Sequence, residues 1–237
     1  GLTAVSGVNL SVRGGEIVTL LGPNGAGKST TFNLLTGING LSSGEVSIKG
    51  GRIDGLPPRR IAALGVARTF QHVKLAPEMT VIENVMLGAH LRGNAGIFRA
   101  FLKLNRSEER LLTERAARAL DVIGLLDKAD ASVDELSLGA ARLVEISRAL
   151  CLEPHLLLLD EPAAGLRKFE KDALAVVLTR LREIGMGILL VEHDMDFVMN
   201  LTDRIVVLDF GTPIAEGTPA EIQGDARVQE AYLGGVA

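Results

Sequence analysis

Residues 16–35, EIVTLLGPNGAGKSTTFNLL, run from an apolar stretch through a turn with three glycines into a second run of different periodicity. Glu16 to Leu21 has the composition of a buried strand, and Lys28 to Leu35 reads as a helix that ends near Gly37. Between them, Gly22-Pro23-Asn24-Gly25-Ala26-Gly27-Lys28-Ser29 fits G-x-x-x-x-G-K-[ST], and Thr30 extends it. That pattern needs a strand before it and a helix after it, because its glycines let successive backbone N–H groups converge on phosphate oxygens at a helix N-terminus. Lys28 is then expected to reach the β- and γ-phosphates of a nucleotide, and Ser29 to ligate Mg²⁺. A chance match in a chain of this length has a probability on the order of one per cent.

The 237 residues suffice for one large α/β domain with a smaller subdomain and are cramped for two enzymes. Strands are expected at Val5 to Val12, paired with Glu16 to Leu21, and at Glu45 to Lys49, Val66 to Phe70, Leu156 to Leu159 and Gly187 to Val191. A terminal pair, Arg204 to Asp209 and Pro213 to Gly217, turns around Gly211. From about Thr80 to Leu150 the pattern is helical, with Leu112, Ala116, Ala119, Ile123 and Leu126 on one face. Its polar side carries both signs of charge, which favours packing on its own domain over a membrane surface. Phe169 to Ile184 is a further helix. The role of Arg92 to Asn105, rich in Gly, Ala and Phe, stays open between a loop and a short helix.

Composition closes several routes. A net charge of −4 and 3% aromatic residues without Trp give no footprint for nucleic acid. The single cysteine, Cys151, lies in an apolar stretch and excludes an internal disulfide; a buried, inert thiol is expected. No apolar run reaches the roughly 18 residues of a membrane span. The opening GLTAVSGVNLSV, without an initiator Met, reads as the middle of a fold and leads us to expect a piece of a longer polypeptide.

A triphosphate site needs carboxylates near its metal, and the run Leu156 to Leu159 delivers Asp160 and Glu161 at a strand's C-terminal end. Asp160 is the candidate Mg²⁺ ligand. Glu161 is the candidate general base for the water that attacks the γ-phosphate. His193, after the strand Gly187 to Val191, can hold the same phosphate, although a lone His at such a place is more often structural.

With GPNGAGKST, Gln71 in RTFQHV, Leu136-Ser137-Leu138-Gly139-Ala140-Ala141-Arg142, LLLLDEP and His193 in LLVEHDM in this order, the chain resembles the ABC-transporter ATPases over essentially its whole length. The resemblance implies an α/β fold: a P-loop NTPase core of ABC-ATPase type with an antiparallel β subdomain and an inserted α-helical subdomain. Residues 1–237 would form a single domain, with the helical insert at approximately 72–150. It implies Mg²⁺-dependent ATP hydrolysis with Glu161, His193, Lys28 and Gln71 catalytic and Ser29, Gln71 and Asp160 at the metal. It implies a head-to-tail pair with a second ABC ATPase subunit, identical or not, in which Ser137 and Gly139 cradle the neighbour's γ-phosphate. Permease subunits would hold the chain at the cytoplasmic face of the inner membrane, and an extracytoplasmic solute-binding protein would be an indirect partner. TFQHVKLAPEMTVIENVMLGAH, DEPAAGL, VEHDMDFVM and EAYLGG look most like the ATPases of branched-chain amino-acid importers.

Three positions depart from the family pattern. Leu138 replaces the signature's first glycine, Ala140 its glutamine, and Arg167 an aspartate that follows S-A-L in most relatives. The family's aromatic under adenine has no counterpart before Gly22 and is expected upstream of Gly1. Rival readings are an ATPase for another polar solute and a soluble ABC-type ATPase outside transport. The latter usually needs two cassettes, a long coiled coil or a basic surface.

Overall fold

The structure, a computed structural model, describes residues 3–69, 74–90 and 106–233. Its centre is a six-stranded sheet formed by β1 (Ile17–Leu21), β4 (Val66–Arg68), β5 (Leu156–Asp160), β6 (Gly187–Val191), β7 (Arg204–Asp209) and β8 (Thr212–Gly217). The spatial order is β4-β5-β6-β1-β7-β8, parallel throughout except for β8, which pairs antiparallel with β7. β1 and β6 are wholly buried, the expected result of continuous apolar strands covered on both faces. The edge strand β8 is where the sheet tolerates Pro213. A second sheet is the short antiparallel ladder β2 (Ser47–Ile48) and β3 (Gly51–Arg52).

Strand alternation sorts the core into layers. Val18, Leu20, Leu158 and Leu189 face Phe32 of α1 (Lys28–Leu35) and Ile61 of α2 (Pro58–Ala63). Ile17, Leu157, Leu159, Ile188 and Leu190 face the opposite layer. That layer is built from α3 (Val81–His90), α4 (Arg106–Ile123), α5 (Leu138–Leu150) and α6 (Lys168–Glu183). Gly88 lets α3 and α5 approach closely, since a Cβ there would lie 2.0 Å from the Arg148 carbonyl oxygen. Arg148 fastens the same contact by donating to the Asn84 side chain and to the carbonyls of Asn84 and Lys74. At the far end of the sheet, α7 (Met195–Leu201), α8 (Pro219–Gly224) and α9 (Ala226–Leu233) cover Leu21, Ile205 and Val207.

Two local expectations are corrected. Val5 to Val12 forms no strand; Val8, Leu10 and Val12 pack on the core in alternation, and Ser6 N–H donates to the Gly211 carbonyl. Period two marks an extended segment and does not supply a ladder partner. Leu126 is not on the amphipathic face either. α4 stops at Ile123 before Gly124, which takes φ of +74°, and Leu126 lies exposed in the following 3₁₀ turn. Cys151 is buried as expected, and burial pushes its thiol up to about 12. Arg92 to Asn105 lies outside the described residues.

Candidate functional site

The glycine loop leaves β1 through Gly22, where a Cβ would lie 2.2 Å from the Leu208 carbonyl oxygen, so no other residue fits without moving β7. It enters α1 through Gly27, which caps the helix at φ of +95°. No side chain caps this N-terminus and no acid occupies its first turn. Its free N–H groups and partial positive charge are thus available to an anion. Lys28 is buried and folds back over the loop, donating to the carbonyls of Gly22 at 2.6 Å and Pro23 at 2.9 Å. Burial holds its ammonium below the usual range, against the opposing pull of Glu161 and Asp160. Ser29 stands exposed in the first turn of α1.

β5 and β6 bring the carboxylates to the loop. Asp160 is the last residue of β5, in register with Val191. Its carboxylate accepts from Arg68 Nη2 at 2.9 Å, both side chains being 11% exposed. Glu161 follows in the left-handed region at φ of +49°, where its N–H donates to the Val191 carbonyl at 2.9 Å. This backbone is strained for a non-glycine residue and turns the chain sharply off the strand end. His193 Nδ1 lies 3.9 Å from Glu161 Oε2, with the imidazole 60% exposed. Beneath them Glu192 is fully buried and accepts N–H groups from Ala163 at 2.7 Å and His193 at 3.2 Å. Burial raises its carboxyl above the ordinary value, only partly countered by those two donors.

The expected second cradle, at Ser137 and Gly139, is already engaged within the chain. Ser137 caps α5 and accepts from Ala140 N–H at 3.3 Å. Gly139 N–H donates to Glu170 Oε1 at 3.0 Å, while Glu170 Oε2 accepts from Arg167 N–H at 3.0 Å. These N–H groups of Arg167 and Gly139, joined by the Ser137 hydroxyl, hold the Glu170 carboxyl below the usual carboxylate range. Leu138 lies close against Gly165, and of the three departures from the family pattern Arg167 bonds to the Glu170 carboxylate itself while Leu138 precedes the Gly139 that does. Gln71 lies outside the described residues.

Residues 5–164 match the family described as ABC transporter. The chain belongs to the ABC transporter family. Residues 212–237 also match a family described as branched-chain amino acid ATP-binding cassette transporter. The cassette is 46% identical over 238 residues to LivG of Salmonella typhimurium, a high-affinity branched-chain amino acid transport ATP-binding protein, covering 99% of this chain and 93% of LivG. It is 33% identical to an ABC-transporter cassette solved in its ADP conformation, with a TM-score of 0.88, over 98% of this chain and 93% of that one. A dimeric cassette in a post-hydrolysis state, bound to ADP and Pi, is 27% identical with a TM-score of 0.74, over 92% and 91% of the two chains.

In this ABC cassette the phosphate loop, the two carboxylates and His193 converge at the C-terminal ends of β1, β5 and β6, as expected. Three contributors are not among the residues expected from the sequence. Arg68 and Glu192 act through packing between distant strands, and no local pattern announces them. Glu170 did carry a signal: an acid three residues after a helix start is the spacing that reaches back to the first N–H groups. No helix among the described residues is long and apolar enough to cross a membrane.

Proposed function

We propose that this cassette is the ATP-hydrolysing subunit of an importer for branched-chain amino acids. The observation that carries the reading is the likeness to LivG over 99% of the chain, joined to the match at residues 212–237. Gly22 to Thr30 bind the triphosphate through backbone N–H groups, and Lys28 exchanges the carbonyls of Gly22 and Pro23 for phosphate oxygens. Glu161 receives the proton of the attacking water, and His193 holds the terminal phosphate beside it.

The Ser29 hydroxyl and Asp160 carboxylate are hard oxygen donors that suit Mg²⁺, and Gln71 is the third candidate. Among the described residues no group of three or more His, Cys, Asp or Glu is disposed to hold a metal. That fits an ion which takes most of its ligands from phosphate and water. Bound there, Mg²⁺ would neutralise charge on the β- and γ-phosphates.

Ser137 and Gly139 serve a neighbouring cassette's nucleotide, a reading supported by the dimeric relative. The helical segment at approximately 72–150 docks on permease subunits at the cytoplasmic face of the inner membrane. A solute-binding protein supplies the cargo from the far side. The test is copurification with the cognate permeases, reconstitution in liposomes, and ATPase assay with the binding protein loaded. Leucine, isoleucine or valine should stimulate turnover. Stimulation by a sugar or a basic amino acid instead, or failure to find any membrane partner, would overturn the proposal.

A further inference from the structure

Glu192 follows the last residue of β6 and has no exposed surface. A carboxylate is buried at a heavy cost unless its oxygens are hydrogen-bonded, and here both oxygens take backbone donors. Oε1 accepts from Ala163 N–H at 2.7 Å and Oε2 from His193 N–H at 3.2 Å. One side chain thus spans from the end of β6 to the turn that follows β5. Being fully buried, it cannot itself meet nucleotide or water.

The turn it reaches is strained. Glu161 holds φ of +49°, a region that a non-glycine residue keeps only where its surroundings impose it. Two bonds to the β6 end do so: Glu161 N–H donates to the Val191 carbonyl at 2.9 Å, and Ala163 N–H donates to the Glu192 carboxylate. Ala164 N–H closes the turn on the Glu161 carbonyl at 3.2 Å.

His193 is anchored from its other flank as well. Asp194 Oδ1 accepts from Phe197 N–H at 3.0 Å and so caps α7, while Lys171 of α6 donates to Asp194 Oδ2. The upstream flank depends on Glu192. Between the two working side chains the separation is 3.9 Å, from His193 Nδ1 to Glu161 Oε2, which is beyond hydrogen-bond reach. Their spacing is therefore set by the backbones that carry them, and Glu192 is the side chain that ties those backbones together.

We propose that Glu192 is a positioning residue for ATP hydrolysis, its carboxylate fixing the distance between Glu161 and His193. The inference rests on the reading of Glu161 as the base and His193 as the holder of the terminal phosphate, and the experiment separates the two. Turnover and nucleotide binding are measured on the cassette assembled with its permeases. Glu192→Gln keeps the volume but sets an N–H donor against a backbone N–H, and Glu192→Met removes both acceptors. A misplacement of about 1 Å can cost about 100-fold in rate, so kcat should fall about 3- to 10-fold in the first and about 10- to 100-fold in the second. The KM for ATP and the nucleotide bound per cassette should stay unchanged. A misfolded fraction would lower bound nucleotide in step with kcat, so these readouts distinguish positioning from loss of fold.

His193→Ala alone should lower turnover, and it leaves the spacing without its second member. Adding Glu192→Met to it should then cost less than about 3-fold more, since residues that act as a unit are not additive. The full loss repeated in the His193→Ala background would overturn the positioning role, as would undiminished turnover of Glu192→Met. Glu192→Gln carries the same cycle should Glu192→Met fail to fold, and loss of bound nucleotide in step with kcat in both variants would also overturn it. Undiminished turnover of His193→Ala would refute the role given to His193 itself, and the inference falls with it.

Discussion

Arg68 offers a sharp test of how the Asp160 carboxylate is held. Its guanidinium donates to Asp160 at 2.9 Å and to Asn33 Oδ1 at 2.8 Å, and lies over the Phe32 ring at 5.4 Å from the centroid. Removing one partner of a buried ion pair costs about 3–5 kcal/mol, most of it from stranding the other charge. Both side chains here keep 11% exposure, and the Lys28 ammonium remains near Asp160, so roughly 2–4 kcal/mol is the better expectation. Phe32 packing is preserved by Arg68→Met, which deletes the charge and the hydrogen bonds alone. For a chain of this size that loss lowers Tm by about 5–15 °C. Adding Asp160→Asn to Arg68→Met removes the stranded charge and should return part of the loss. Urea unfolding of both single variants and the double variant at pH 7 without nucleotide gives the coupling, expected above about 1 kcal/mol. Additivity within about 0.5 kcal/mol would show that the pair is not what holds Asp160.

Glu161→Gln should lower ATP turnover by about 10² to 10⁴ while leaving ATP affinity intact, read by steady-state ATPase and equilibrium binding; a parallel loss of affinity would make Glu161 a binding residue instead of the base. In a heterodimer, the same substitution here should abolish part of the turnover even where the neighbouring cassette is intact. Glu192→Gln should flatten the pH dependence of stability. A carboxyl whose folded pKa is raised contributes stability in full below its ordinary value of 4.5 and loses it as pH rises through the folded value, so the unsubstituted chain weakens relative to the variant from about pH 4.5 upward in urea titrations. A difference independent of pH would count against burial as the cause. Gly88→Ala gains about 1 kcal/mol of helix propensity. It nonetheless sets a methyl 2.0 Å from a backbone oxygen of α5, so a net loss of roughly 1–3 kcal/mol is expected by thermal denaturation.

What could be read from the residues beforehand is what local order encodes. Continuous apolar runs marked β5, β6 and β7 almost to the residue, because parallel strands buried on both faces leave no room for polar side chains. The glycine loop was legible for a similar reason: its backbone conformations admit few other residues. The pairings that tune the site were not legible. Arg68 reaches Asp160 across 92 residues, Ala163 reaches Glu192 across 29, and Gly139 reaches Glu170 across 31. Each depends on which strands or helices become neighbours, and no periodicity records that. Val5 to Val12 shows the converse: its alternation correctly marks a segment lying on the core, yet no strand stands beside it to complete a ladder.

Glu170 changes how the departures from the family pattern are understood. Taken singly, Leu138 and Arg167 look like independent losses at a surface offered to a neighbouring cassette. In the structure one carboxylate, Glu170, holds the N–H of Gly139, next to Leu138 in the chain, on one side and the N–H of Arg167 on the other. A phosphate arriving at Gly139 meets an anion already in place, and like charges cannot share that one donor favourably. Occupation of the cradle therefore requires Glu170 to leave, and its departure also releases the N-terminus of α6 at Arg167. That helix start closes the short segment that begins at Glu161, whose Ala163 N–H is held by Glu192 next to His193. Between Gly139 and His193 there thus runs a path of side-chain hydrogen bonds at Glu170 and at Glu192, joined by the backbone of residues 163–167.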